Sequence, residues 1–269
     1  MLQKYTTKYR YSLILLRELV KTDFKLRYQA SILGYIWSLL RPLLLFFILY
    51  IVFAKILKVG DNIPHYPVYL LLGIVLWNFF IEVTTGSIGS IVSKADLIRK
   101  INFPKYIIVL ALSLAAVINL ALNFVVIAVF MYFEHVSVSW QILLDFPLLF
   151  EYYLVSLGVG FFLSAAFVRL RDISYIWEVL TQAAFYAIPI VYTLTALPKT
   201  FAKILILNPL AQIIQDVRYV TITNQTETIS QVYGGDKWIW LIPIGLVLII
   251  FISASIFFHH QSPKFAEES

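Results

Sequence analysis

This chain carries six long apolar stretches, with basic residues crowded into alternate gaps between them. A bilayer core about 30 Å thick needs roughly 20 apolar residues of helix to cross it. The stretches do not show the alternating segments of roughly ten residues that are typical of a membrane barrel. A content of 61% hydrophobic and 13% charged residues favours the same class. The sequence predicts one all-α membrane domain over residues 1–269, with six transmembrane helices at about 34–57, 66–92, 107–133, 148–168, 175–194 and 238–258.

The distribution of lysine and arginine predicts the orientation, because short cytoplasmic connections of membrane proteins carry an excess of both. Basic residues crowd residues 1–33 and the connection 94–106, and Arg169, Arg171 and Lys264 follow on the same side. The other side carries only Lys58, Lys199, Lys203, Arg218 and Lys237. Both termini are therefore predicted to be cytoplasmic, and the net charge of +6 is explained without nucleic-acid binding.

Segment 11–30 is too charged to span a membrane but is periodic. At 100° per residue its leucines fall on one broad arc, interrupted by Asp23 and Arg27. The opposite arc carries Arg17, Glu18, Lys21 and Lys25. This pattern predicts an amphipathic helix on the cytoplasmic surface. Two roles of this helix remain open: a simple surface anchor, or a helix whose apolar face packs partly on protein.

The connection at 93–105 carries Leu97, Ile98 and Ile101 at helical spacing among charged residues, and it ends near Pro104. A short helix ending before the proline fits this pattern. A helix with an apolar stripe in a charged setting suits docking into a groove on a partner. The alternative is a solvated turn.

The longest connection on the other side, residues 195–236, is half apolar and is interrupted by Pro198 and by Asn208-Pro209. We expect two short helices that dip into the outer leaflet, too short to cross it. Irregular backbone at that depth is tolerated only against protein or a water-filled cavity. The pattern therefore predicts a cavity wall here, followed by an exposed loop at about 221–236.

The chain carries no motif for catalysis, metal binding or nucleotide binding. Its four histidines lie at span ends or in loops, it has no cysteine, and neither G-x-S-x-G nor G-x-x-x-x-G-K-[ST] occurs. The chain is therefore predicted not to be an enzyme, to hold no cofactor and no metal, and to depend on a second polypeptide if ATP drives its work.

Glu82, near Asn78 and Thr85, is the ionisable residue closest to the middle of a span, whereas Arg41 lies near a cytoplasmic end. A charge in lipid costs about 2.5–3.5 kcal/mol, so Glu82 is expected to face protein. A hydrogen bond from Glu82 to a neighbouring helix is favoured over a proton relay.

Several aromatic residues lie away from the interfaces where Trp and Tyr usually gather. Because aromatic faces stack on sugar rings, we interpret this set, with Glu82, as a candidate sugar path. It comprises Trp37, Trp77, Phe79, Phe80, Tyr186 and Tyr192. A structural role of the same residues is the alternative.

The chain resembles the permease subunits of ABC transporters that export bacterial surface polysaccharides such as O antigen, capsule and teichoic acid. The motifs that carry the resemblance occur in order along nearly the whole chain. They are LVKTDFKLRYQASILGYIWSLLRPLL from Leu19, GIVLWNFF from Gly73, LIRKINFP from Leu97, Arg171-Asp172, Pro189-Ile190-Val191-Tyr192 and Asn208-Pro209-Leu210.

The resemblance implies a homodimer in the bacterial inner membrane that moves a lipid-linked polysaccharide, with two ABC ATPase subunits that bind ATP and Mg in place of this chain. It implies an ATPase-docking surface formed by Arg17, Lys21, Lys25, Asp96, Leu97, Arg99, Lys100, Arg171 and Asp172. A permease for a small drug or lipid, and an ATP-independent proton-coupled carrier that depends on Glu82, remain as alternatives.

Overall fold

The computed structural model of the protein describes residues 2–28, 36–236 and 238–265. All regular elements in these ranges are helical, and five helices are long and apolar enough to cross a membrane. They are Ile36–Ile56, Tyr66–Ile88, Tyr106–Phe133, Trp140–Arg169 and Trp238–Lys264. The prediction of an all-α membrane protein is confirmed. The Ser31-to-Gly34 part of the opening motif, where the first span was expected to begin, lies outside the described residues.

The α-helices are numbered in chain order. They are α1 (Leu2–Tyr28), α2 (Ile36–Tyr50), α3 (Tyr66–Ile88), α4 (Ser90–Ser93), α5 (Ala95–Lys100), α6 (Tyr106–Phe133), α7 (Asp145–Arg169), α8 (Ile173–Ala187), α9 (Lys199–Ile206), α10 (Pro209–Thr221), α11 (Ile229–Val232) and α12 (Leu241–Gln261). A π-helical turn, Ile51–Ile56, extends α2 to the length of a span.

The segment predicted as the fifth span is divided into two parts. Its helix, α8, has 15 residues, which corresponds to about 22 Å at 1.5 Å per residue. The chain then becomes extended at Ile188, because the residue before a proline, here Pro189, is disfavoured in helical conformation. That the segment 175–194 crosses the membrane, which would bring the number of spans to six, therefore stays a prediction.

Helix α3 lies at the centre of the bundle, packed along α6 and α7, with α2, α8 and α10 also in contact with it. Helix α7 separates α3 from α12, and two glycines permit the close approach. A Cβ on Gly158 would lie 2.9 Å from the Phe251 Cα of α12, and one on Gly160 would lie 2.7 Å from the Ser87 Oγ of α3. Small residues are the usual means of close helix packing in membranes.

The two ends of the bundle differ in composition. At one end, which we call the terminal end, Leu19 of α1, Ile98 of α5 and Phe265 belong to one buried apolar cluster. The middle of α1, helix α5 and the end of the described chain at Phe265 therefore pack together at the terminal end. At the opposite end, which we call the distal end, the connection at 195–236 forms two short helices, α9 and α10, as expected, and their insertion into the outer leaflet stays a prediction. Asn208 caps α10 by accepting a hydrogen bond from the Leu210 amide at 3.0 Å, with Pro209 in the first turn.

Candidate functional site

A row of polar side chains runs along one face of α3. Asn78, Glu82 and Thr85 are spaced by four and three residues, so they share a face of the helix. This face is the least buried part of an otherwise enclosed helix. Polar groups at membrane depth are costly and usually mark a pathway or a partner contact.

Two cavities flank this face of α3. The first, which we call the Glu82 cavity, has a volume of about 560 Å³ and lies between α2, α3 and α6. The second, the Tyr186 cavity, has a volume of about 730 Å³ and lies between α2, α3 and α8. Arg41, Asn78, Ile81 and Thr85 line both cavities. We refer to the two cavities together as the membrane groove.

Glu82 accepts a hydrogen bond from a neighbouring helix, as favoured from the sequence. The Asn119 Nδ2 of α6 donates to its Oε1 at 2.7 Å, and the Asn123 Nδ2 donates to the Asn119 carbonyl at 2.8 Å. Both asparagines line the Glu82 cavity. Sequence reasoning missed this pair, although two asparagines four residues apart in an apolar span are a recognisable signal of a polar face.

Arg41 extends the groove from α2. Its side chain is exposed and lies directly before the buried Pro42. Among the described residues that line the two cavities it is the only cation. Among the described residues the groove thus combines one guanidinium, the two carboxylates of Glu82 and Glu178, and several neutral amides and hydroxyls.

Five of the seven predicted path residues come together in the groove. Trp37, Phe79 and Glu82 line the Glu82 cavity, whereas Trp77 and Tyr186 line the Tyr186 cavity. Exposure separates them, because Trp37 and Tyr186 are 47% and 66% exposed while Trp77 and Phe79 are buried.

The other two predicted path residues line neither cavity. Phe80 is buried between Trp77 and Trp177, with ring centroids 5.5 and 6.0 Å away. The Tyr192 hydroxyl donates to the Ala187 carbonyl at 2.8 Å, where it secures the segment after α8. Sequence reasoning also missed Trp177, which lines the Tyr186 cavity and donates to the Thr84 Oγ1 at 3.2 Å.

At the terminal end the predicted docking residues of α1 are exposed to solvent. Arg17, Lys21 and Lys25 are exposed, and Lys21 pairs with Glu18 at 3.2 Å. Leu19 on the opposite face is buried against the bundle. The part of the apolar arc around Leu19 therefore packs on protein, Leu13 of the same arc is exposed, and the basic arc stays available.

The short helix α5 uses its apolar stripe within the chain. Ile98 is buried and Leu97 is partly buried in the cluster that includes Leu19. The exposed residues of α5 are Asp96, Arg99 and Lys100. The stripe expected to enter a partner's groove thus holds α5 in place, and α5 presents a charged face.

An ion pair that sequence reasoning missed joins α1 to this region. The Lys94 Nζ lies 2.8 Å from the Asp23 Oδ1, and both side chains are largely buried. The interruption of the apolar arc at Asp23 is explained by this contact, which fixes α1 against the start of α5.

Exchanging one partner of this pair is expected to loosen α1. Asp23→Lys places two ammonium groups together, at a cost on the order of 1 kcal/mol, or a melting temperature lower by about 2–4 °C. The double variant Asp23→Lys with Lys94→Asp is expected to regain most of the loss. Thermal unfolding in detergent measures both effects. Equal melting temperatures for the single and double variants would show that the pair contributes nothing.

Arg171 and Asp172, the remaining predicted docking residues, lie in the turn between α7 and α8. Both are exposed, and the Arg171 guanidinium lies 5.0 Å from the centre of the Phe167 ring. Because α7 begins at the distal end, its last residues bring this turn to the same end of the bundle as α5.

The distal end is organised by Arg218, which was counted from the sequence among the outer basic residues. Arg218 is 0% exposed and donates to the carbonyls of Tyr69, Pro189 and Ile190 at 2.6–3.1 Å. Its guanidinium also lies 3.5 Å from the centre of the Tyr69 ring. Arg218 therefore joins α10 to α3 and to the extended segment after α8.

The same helix buries a carboxyl group. Burial raises the pKa of Asp216 to about 7, and the nearby Glu151 carboxylate raises it further while the hydrogen bond from Gln212 opposes the shift. Gln212 Nε2 is the donor to Asp216 Oδ2. This face of α10 is thus polar but fully enclosed.

The chain is similar to known proteins along most of its length. The family described as "ABC-2 type transporter" matches residues 14–222. An O-antigen export system permease protein RfbA of Klebsiella pneumoniae is 30% identical over 233 residues, covering 86% of this chain and 88% of that protein. The RfbA permease of Myxococcus xanthus is 25% identical over 94% of both chains. The polysialic acid transport protein KpsM of Escherichia coli is 23% identical over 72% of this chain and 75% of its own length.

Proposed function

This chain belongs to the ABC-2 type transporter family, and from that premise we propose that it is the membrane-spanning subunit of a polysaccharide exporter. The observation that carries the proposal is similarity to an O-antigen export permease along 94% of both chains. A lipid-linked polysaccharide is the proposed substrate. The polar, aromatic membrane groove supports a hydroxyl-rich substrate over a small apolar drug or lipid.

The proposed orientation places the terminal end in the cytoplasm and the distal end outside the bacterial inner membrane. The basic residues of α1, α5 and the turn after α7 support it, because cytoplasmic connections are enriched in lysine and arginine. In this arrangement α8 and the extended segment after it form the sixth crossing, and α9 and α10 dip into the outer leaflet without crossing it.

The proposed assembly is a homodimer of this chain with two ABC ATPase subunits, which bind ATP and Mg. The exposed charges on α1, on α5 and in the turn at Arg171 and Asp172 support a common docking surface for the ATPase. The exposed flank of the Tyr186 cavity, between α2 and α8, supports a path that two copies complete together.

Deletion of the gene tests the function directly. Cells without this chain are expected to retain lipid-linked polysaccharide inside and to lose it from the surface, as measured by surface labelling with a lectin or antibody. A plasmid copy of the gene is expected to restore surface display. Unchanged surface polysaccharide in the deletion strain would refute the proposal.

Glu82→Gln separates the ATP-driven exporter from a proton-coupled carrier. Glutamine keeps the acceptor for Asn119 but cannot exchange a proton, so an exporter is expected to keep its rate within about twofold, whereas a carrier would lose transport. Glu82→Leu serves as the matched structural variant, because it removes the carboxylate that accepts from the Asn119 amide, a hydrogen bond that contributes about 1.5–3 kcal/mol. Export rate per folded protein is the measurement. Loss of export in Glu82→Gln at normal protein level would favour the carrier.

A further inference from the structure

A third cavity, separate from the membrane groove, lies at the distal end. It has a volume of about 540 Å³, within the range of small-ligand sites, and we call it the distal cavity. Its walls come from three connections, at 58–64, 193–196 and 223–227, and the buried residues Tyr69 and Gln215 close its inner side. None of these residues lines the membrane groove.

The chemistry of the distal cavity is neutral and rich in hydroxyl and amide groups. Thr193, Thr195, Thr223 and Thr226 line it together with Gln215 and Gln225. Among the described residues of the wall, the charges are one lysine, Lys58, and one carboxylate, Glu227. Such a wall lacks the surplus of positive charge that a phosphate or an anionic headgroup requires.

Gln215 brings an unsatisfied polar atom to the inner side of this cavity. Its side chain is 1% exposed, its Oε1 lies 3.4 Å from the Tyr69 hydroxyl, and its Nε2 has no hydrogen-bond partner. Exchanging the two amide atoms does not remove the deficit, since Nε2 would then meet Tyr69 and Oε1 would lack a partner. In either orientation one amide atom of this wall residue has no partner among the described residues, and a sugar hydroxyl can satisfy a donor or an acceptor equally well.

The threonine hydroxyls also retain unused hydrogen-bonding capacity. The Thr223 Oγ1 accepts from the Gln225 amide at 3.3 Å, so its own proton is available. The Thr193 and Thr195 hydroxyls bond each other at 2.7 Å, which uses only one of their two protons. Together with Gln215 these groups offer several donors and acceptors in one small space, while Ile63 and Leu194 add apolar wall for the C–H faces of a sugar ring.

We propose that the distal cavity is a binding site for a neutral sugar unit of the glycan that this subunit exports. The inference deepens the proposed function and rests on it. The site holds the sugar by hydrogen bonds from Gln215 and Thr223, outside the membrane groove. A sugar bound at the distal end opposes backward movement of the polysaccharide that follows it through the membrane.

Saturation-transfer NMR on the purified full chain in detergent tests the site. The probe is a set of short oligosaccharides released by mild acid from the surface polysaccharide of the source strain, and glycerol 3-phosphate is the comparison probe for a lipid headgroup. Transfer to sugar ring protons is expected for the unaltered protein. Gln215→Leu and Thr223→Val are each expected to raise the dissociation constant roughly three- to tenfold, the effect of losing one neutral hydrogen bond.

Thr200→Val is the matched control, since Thr200 is an exposed threonine of α9 that does not line the cavity. It is expected to bind the oligosaccharides as the unaltered protein does. Thr223 lies in a connection between helices, so Thr223→Val is expected to fold normally. It therefore tests the site even if Gln215→Leu lowers the yield of folded protein. Absence of transfer to the unaltered protein, equal dissociation constants in Thr223→Val and Thr200→Val, or preference for glycerol 3-phosphate would each overturn the site. Only unchanged surface polysaccharide in the deletion strain would overturn the exporter function itself.

Discussion

Replacing Arg218 with methionine is expected to leave little folded protein in the membrane. The change removes the donors of three enclosed carbonyls, those of Tyr69, Pro189 and Ile190, and fills the space with an apolar side chain. The Pro189 and Ile190 carbonyls lie outside the helices and lose this donor at about 1–3 kcal/mol each, so the total is on the order of 4 kcal/mol. The measurements are the monodisperse fraction in size-exclusion chromatography and the melting temperature in detergent.

Two further variants check that the carbonyl contacts cause this loss. Arg218→Lys keeps the charge, but a single ammonium cannot reach all three carbonyls in the planar geometry of a guanidinium, so an intermediate loss is expected. Gly73→Ala approaches the same site from α3, where a Cβ would lie 2.2 Å from the Arg218 Nη2. Arg171→Met, at an exposed arginine, is the matched control and is expected to behave as the unaltered protein. Normal yield and melting of Arg218→Met would contradict this account of the distal end.

The double variant Asp96→Ala with Lys100→Ala is expected to abolish stable association with the ATPase while the permease folds normally. The two residues are four positions apart on α5, so they share a face, and both are exposed. A central interface residue typically contributes 2 kcal/mol or more, so binding is expected to weaken by about 30-fold or more. Copurification with the ATPase encoded beside the gene, and surface display of the glycan, are the measurements.

Variants elsewhere separate docking from folding. Ile98→Ala removes buried packing from the same helix and is expected to lower the melting temperature, because it empties part of the terminal cluster. Gln141 is exposed on the connection at the distal end. Gln141→Ala is expected to change neither the melting temperature nor the copurification with the ATPase. If the Asp96 and Lys100 double variant still copurifies with the ATPase at unaltered yield, the docking surface does not include α5.

The sequence was sufficient to predict those elements that depend on interactions between residues close together in the chain. Spans at 66–92 and 107–133 were expected and are found as α3 and α6, because an apolar segment in lipid must satisfy its own amides within one helix. The break before α10 was also readable, since Asn208-Pro209 is a helix-start signal. The same holds for the basic arc of α1, which depends only on the period of one helix.

The tertiary structure alone decided the contacts between residues that are far apart in the chain. Arg218 meets the Tyr69 carbonyl across 149 positions and Lys94 meets Asp23 across 71, so no local pattern distinguishes either from a solvated surface charge. For the same reason the sequence left open whether the apolar stripe of α5 docks on a partner or lies in a solvated turn, whereas Ile98 is buried in the cluster that includes Leu19. It likewise could not separate Trp37 and Tyr186, which are exposed in the groove, from Phe80, which is buried. Hydropathy establishes that a residue lies within the membrane, but whether it faces lipid, groove or core depends on which helices pack beside it.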